Sequence, residues 1–197
     1  MFCVDEKTAI QSLDQLDPVL PMSPGRLERH GFEYYRHGTL SLYAALDVKT
    51  GQVHGMTAGR HTSQEFISFL EGLVNRAARA KEIHVVLDNL SAYKTKDVER
   101  FLSENPRVRF RFAPTYSSWL NQVELWFAKI QRDVIAHGVF TSVADLGNKL
   151  RKYIRAHSKS AKPFRGPIPI PPLASLLTKS PGQLTSYTSF GVPQWVR

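Results

Sequence analysis

A single cysteine, Cys3, is all the thiol chemistry this chain of 197 residues holds, which excludes a disulfide framework or a cysteine-rich zinc site within one chain. Cys3 stands in an apolar run and reads as plain core. No apolar stretch approaches the roughly 20 residues that a membrane span needs, and no basic-then-apolar leader precedes Asp5. A soluble, cytoplasmic protein without a membrane partner is therefore expected. Also missing are a Gly-rich phosphate loop ending in Lys-Ser or Lys-Thr and a Gly-x-Ser-x-Gly elbow, so kinase, ATPase and serine-hydrolase chemistries lack their parts. The seven histidines are scattered, without the i, i+4 spacing of a zinc site. Acidic residues are scarce: 17 stand against 26 Lys and Arg, for a net charge of +9. That balance favours a polyanionic partner through counterion release, although charge alone does not choose between nucleic acid and a membrane surface.

What the chain does have is an ordinary globular composition, 42% hydrophobic and 22% charged, enough for one domain with a proper core. It also has three carboxylates in three distinct settings. Asp5 follows Cys-Val, Asp88 closes Ile-His-Val-Val-Leu-Asp, and Glu124 stands in Trp-Leu-Asn-Gln-Val-Glu-Leu-Trp-Phe. The first two are expected to end short buried strands and the third to ride on an amphipathic helix. Hard divalent cations take oxygen ligands and keep part of their water shell, so a few convergent carboxylates suffice when a phosphate completes the coordination. Phosphodiester cleavage or transfer is the chemistry such a trio suggests.

The periodicities give an order of elements. Met1 to Asp5 reads as a strand, Leu40 to Asp47 as a second, and Gly51 turns the chain into a third around Val53 and Met56. The stretch between the first two, with Pro18, Pro21, Pro24, Arg26, Arg29 and His30, lacks a sustained period and is long for a loop. Thr62 and Glu65 match a capping box ahead of Phe66, Phe69, Leu70, Leu73 and Ala77 at helical spacing. Ile83 to Leu87 has the near-continuous apolar character of a central strand, and Lys94 to Leu102 can cross over to a strand at Val108, Phe110 and Phe112. A helix from about Ser118 to Ile135 carries a stripe of Leu120, Val123, Phe127, Ile130 and Val134, with Glu124 at its margin. A last helix is expected from Ser142 to His157.

Several blocks in this order resemble a known family. Val4-Asp5-Glu6-Lys7-Thr8, Arg36-His37-Gly38-Thr39, Leu87-Asp88-Asn89 with Lys94-Thr95, and Pro114-Thr115 through Trp119-Leu120-Asn121-Gln122-Val123-Glu124 are similar to the DDE catalytic domain of mariner-like insertion-sequence transposases. The resemblance runs to Arg165. It implies an α/β ribonuclease-H-like fold, a mixed central sheet flanked by helices, in which Asp5 and Asp88 lie on adjacent strands and Glu124 is brought beside them. It also implies that Asp5, Asp88 and Glu124 bind Mg²⁺ or Mn²⁺, as two ions, and cleave and transfer DNA strands. The partners implied are transposon-end and target DNA, with self-association or a full-length transposase besides, and a nucleoid-associated location.

Around this trio the residues leave choices open. Asn89 either hydrogen-bonds at the site or completes an Asx turn, Lys94 either meets a phosphate or opens a helix, and Asn121 and His37 belong to matching blocks as possible supports. Asp47 is a decoy, because an antiparallel second strand ends at the opposite end of the sheet from Asp5. Glu6 points to the other face of its strand. Arg107, Arg109 and Arg111, with Lys149, Arg151 and Lys152 on the last helix, are candidates for a DNA-backbone surface. The catalytic domain is expected over residues 1–165. Residues 166–197 hold six prolines and no acidic residue and are expected to form a divergent, disordered tail. Full-length family members carry helix-turn-helix modules before the catalytic domain, so a truncated element is expected. The rival reading is an inactive remnant that binds only nucleic acid or a full-length transposase; a ribonuclease acting on RNA is a further one.

Overall fold

The computed structural model describes residues 1–15, 34–88, 95–114 and 121–163. Five strands, β1 (Phe2–Gln15), β2 (Tyr34–Asp47), β3 (Val53–Ala58), β4 (Ile83–Leu87) and β5 (Val108–Phe112), form one sheet in the order β3-β2-β1-β4-β5. The pairs β1–β2 and β2–β3 are antiparallel, whereas β4 runs parallel to both β1 and β5. Parallel neighbours require crossover connections, and helices supply them. Helices α1 (Ser63–Arg76) and α2 (Lys96–Glu104) flank β4 in the chain, and α3 (Val123–Ile130) and α4 (Val143–Lys159) follow β5. A compact unit spans Met1–Phe164. Residues 166–197, and with them the expected tail, lie outside the described residues. No helix among the described residues is long and apolar enough to cross a membrane.

Strand alternation assigns the two faces. Val4, Tyr43, Ala45, Val85 and Leu87 join Phe66, Phe69, Leu70, Leu73, Val98 and Phe101 in one buried cluster, so α1 and α2 cover this face. Cys3, Asp5, Leu42, Ala44 and Val86 therefore point to the other face, where α3 lies over β1 and β2 and α4 over β2 and β3. Cys3 is buried and free, as core. Helix starts follow their sequence signals. The Thr62 amide donates to the Glu65 carboxylate at 3.0 Å, completing the capping box, and the Thr95 and Ser142 hydroxyls accept from the Val98 and Asp145 amides.

Three expectations are corrected. β1 does not end at Asp5 but continues to Gln15, and β2 begins at Tyr34 rather than Leu40. The extension is an arm held by the backbone ladder, with register shifts between Lys7 and Ile10 and between Ser12 and Leu13. Tyr34, Tyr35, Arg36 and His37 are exposed there, so no apolar period announces the strand. The helix bearing Glu124 begins at Val123, and its expected last turns, Gln131–Ile135, are π-helical. Asn121 and Gln122 precede the helix, with their carbonyls accepting from the Glu124 and Leu125 amides, and the expected start at Ser118 to Leu120 lies outside the described residues.

Gly51 has φ +74, and a Cβ there would stand 2.1 Å from the Lys162 carbonyl oxygen. Gly51→Ala should therefore destabilise the fold by about 2 kcal/mol or more, since left-handed backbone and a backbone clash add. Thermal denaturation of the variant measures this directly, and an unchanged melting temperature would show that the hairpin relaxes freely.

Candidate active site

The parallel pairing of β1 with β4 matches Phe2 with Val85 and Cys3 with Val86. Continued for two residues, that register sets Asp5 level with Asp88, on strands about 4.8 Å apart. Both side chains fall on the face opposite α1. Asp5 is 6% exposed and lies within β1; Asp88 is half-buried and directly follows β4. Glu124 is exposed in the first turn of α3, where the helix dipole favours a negative charge.

A buried side chain fixes α3 above the strands. Asn121, 1% exposed, donates from Nδ2 to the Val4 carbonyl at 2.9 Å, one residue before Asp5. The Gln122 amide also stands towards the Cys3 sulfur, opposing the rise that burial gives the thiol pKa. These two contacts tie the start of α3 to β1 on either side of Val4, and Val123, Trp126, Phe127 and Ile130 bury the rest of its inner face. Glu124 thereby reaches Asp5, with which it shares a hydrogen bond when Asp5 is protonated.

The electrostatics are those of crowded carboxylates. Burial, then the Glu124 hydrogen bond and the charges of Asp88 and Glu124, push the Asp5 carboxyl up to about 8, against the opposing Glu6 amide that donates to its Oδ1 at 2.8 Å. Burial and the Glu124 charge raise Asp88 as well. Asp88 Oδ1 is buried without a hydrogen-bond partner, as is Asn121 Oδ1. Among the described residues no Lys, Arg or His pairs with any of the three carboxylates. No three His, Cys, Asp or Glu side chains there close into a ready coordination cage either; the trio is an Asp5–Glu124 pair with Asp88 in electrostatic reach. A donor set of hard oxygens, with no paired cation among the described residues and one bare buried oxygen, fits a divalent metal.

The remaining candidates divide. Asn89 and Lys94 lie outside the described residues. His37 sits on the β1–β2 arm, 3.4 Å from Asp14 and edge-on to Tyr35, away from the carboxylates. Asp47 pairs with Phe2 at the other end of the sheet and accepts from the Lys49 amide and Thr50 hydroxyl. Glu6 accepts from Tyr43 on the α1 face. Three of the six basic candidates are held within the fold. Arg107 donates to the Val74 and Ala78 carbonyls at the end of α1, Lys149 to Asp145 and the Val139 carbonyl, and Arg151 to Thr57 and Asn148. Lys152 is exposed on α4, towards the β3 edge. Arg109 and Arg111 are exposed on β5 and pair in register with His84 and Val86, so they share the face of Asp5 and Asp88. His84 joins them on that face without having stood out in the sequence; its place next to the core-facing Val85 in β4 is the signal that could have found it.

The model of the family described as DDE superfamily endonuclease matches residues 1–147. An insertion element IS630 protein of 39 kDa from Shigella sonnei is 30% identical over 145 residues, which is 74% of this chain. The chain spans 38% of that relative's length. Among solved structures, the Mos1 mariner paired-end complex with Mn superposes with a TM-score of 0.58 at 17% identity, covering 81% of this chain and 49% of that one. The Mos1 strand transfer complex gives 0.57 at 18% identity, covering 79% and 47%. At such identities the likeness speaks for the fold, and the fold is the expected ribonuclease-H-like α/β class.

Proposed function

The chain belongs to the DDE superfamily endonucleases, and from that premise we propose that it is the catalytic part of an insertion-sequence transposase that cuts and joins DNA strands with divalent metal. The observation that carries the reading is the Asp5–Glu124 pair with Asp88 in electrostatic reach and no cation paired to any of the three among the described residues. Asp5, Asp88 and Glu124 would hold two Mg²⁺ or Mn²⁺ ions. Bound there, the metal would supply the Lewis acidity that activates a water or a 3′-hydroxyl and neutralises the leaving oxygen.

The protein's part is to hold the oxygens and orient them. The Glu6 amide fixes one oxygen of Asp5 and leaves the other for the site. Asp88, level with it, offers a bare oxygen. Glu124, exposed in the first turn of α3, would supply the third carboxylate on the accessible side. In cleavage the attacking oxygen forms a new bond to phosphorus as the 3′ bridging P–O bond breaks, leaving a 3′-hydroxyl that serves as nucleophile in joining. The partners in this reading are transposon-end and target DNA and a second transposase chain, and the place of action is the nucleoid.

Purified protein with supercoiled DNA tests this. Nicking should require Mg²⁺ or Mn²⁺, vanish with EDTA and fall at least about 10³-fold in Glu124→Gln, since several kcal/mol of charge stabilisation depend on the metal. Metal-dependent nicking that survives Glu124→Gln unchanged would refute the assignment.

A further inference from the structure

We infer that the DNA strand being cut crosses the β4–β5 half of the sheet, with its backbone phosphates held by Arg109 and Arg111, and does not run over α4. The inference rests on the proposed phosphodiester chemistry for its ligand and on separate observations for its place. β4 and β5 pair His84 with Arg109 and Val86 with Arg111. Val85 and Leu87 belong to the core under α1 and α2, with Phe110 packed against it, so Arg109, Arg111 and His84 project on the opposite face, which is the face of Asp5 and Asp88. α3 and α4 lie over β1, β2 and β3, and both arginines remain exposed. Neither guanidinium makes an ion pair or hydrogen bond among the described residues. His84 lies 3.3 Å from the Glu82 carboxylate.

Unpaired arginines beside unpaired carboxylates are an unusual arrangement unless a third component separates the charges. A phosphodiester strand does so: its scissile phosphate, with metal, meets the carboxylates, and its neighbouring phosphates meet the arginines. The spacing suits this. Arg109 and Arg111 are two residues, about 6.8 Å, apart along β5, comparable with the separation of successive phosphates along a strand. Arg111 lies one strand over and two residues short of the level of Asp88, so their Cα atoms are about 8 Å apart, within reach of one nucleotide. Guanidinium is the preferred side chain for such bidentate phosphate contacts. The basic side chains of α4 have other settings: Lys149 and Arg151 are bonded within the fold, and Lys152 and Arg155 face solvent over the far edge of the sheet. The competing explanation is that exposed charge on β5 only keeps an edge strand from pairing with other chains.

The full chain, a fluorescently labelled DNA duplex of mixed sequence and a KCl series without divalent metal separate these. Arg109→Gln with Arg111→Gln should lower the slope of log affinity against log salt by about 2, close to 0.9 for each phosphate that is no longer neutralised, and weaken binding at least tenfold. Lys152→Ala with Arg155→Ala should leave the slope unchanged. Mn²⁺ binding by the arginine double variant, followed by electron paramagnetic resonance, should match the wild type. An unchanged slope in the double variant, or an equal fall in the α4 variant, overturns the path. Loss of slope in a protein that binds no Mn²⁺ upholds the path and overturns the carboxylate site instead.

Discussion

Asp5→Asn should abolish metal-dependent cleavage and yet make the metal-free protein more stable. The two effects have one origin. Asp5 is 6% exposed, beside Glu124 and Asp88, with its carboxyl pushed up to about 8. A group raised in the folded state contributes stability that is fully present below its unfolded value of 3.8 and is lost as pH rises through about 8. The metal-free wild type should thus lose stability between about pH 4 and pH 8, and the asparagine variant should lose less, keeping only the part that Asp88, also raised, contributes. Asparagine keeps the Oδ1 acceptor used by the Glu6 amide and removes the charge. The expected gain at pH 8 is about 1–3 kcal/mol, shrinking towards zero near pH 4. Saturating Mg²⁺ should reverse the order, because only the wild type gains binding free energy from the ion. Thermal unfolding across pH, with and without Mg²⁺, reads both signs. A variant less stable than wild type at pH 8 without metal would show that the Asp5 charge is compensated by a partner other than the cation proposed.

Asn121→Ala should be the most damaging change outside the carboxylates. It removes the donor to the Val4 carbonyl and leaves a buried acceptor bare, at about 1–3 kcal/mol. The same bond joins the start of α3 to the strand residue preceding Asp5, so its loss frees Glu124 from Asp5. Supports of this kind behind metal ligands are worth about 10–100-fold in affinity or activity. Cleavage should fall by that amount, with the metal concentration for half-maximal rate rising in step. A fall in rate without any change in metal dependence would make Asn121 a structural residue only.

The parts of the fold that were legible from sequence are those where burial leaves a period. Ile83 to Leu87 is nearly all apolar because Ile83, Val85 and Leu87 enter the core under α1 and α2 while Val86 is buried on the other face, and Val108 to Phe112 alternates because one face is core and the other carries Arg109 and Arg111. Thr62 and Glu65 announce α1 through their own hydrogen bonds. The β1–β2 arm was not legible. It is held by main-chain pairing and by contacts such as Phe140 N–H to the Leu13 carbonyl, which leave no trace in side-chain hydrophobicity. That Asp5 would lie within β1 was hidden for the same reason. At the site, the carboxylates were legible as chemistry, but the distinction among the basic residues was not. Arg107 and Arg109 stand two residues apart in one alternating run, yet Arg107 turns back to the end of α1 and Arg109 faces solvent. Only the three-dimensional place of α1 decides that difference.

Replacement of a single carboxylate by a softer ligand tests the metal role most directly. Asp88→Cys exchanges a hard oxygen for a thiolate, which Mg²⁺ binds poorly and Mn²⁺, a transition ion, accepts more readily. If Asp88 is a metal ligand, this variant cleaves no DNA in Mg²⁺ and regains cleavage in Mn²⁺, with circular dichroism unchanged. Equal cleavage in both metals, or equal loss in both by a folded protein, would contradict Asp88 as a metal ligand and with it the site built from Asp5, Asp88 and Glu124.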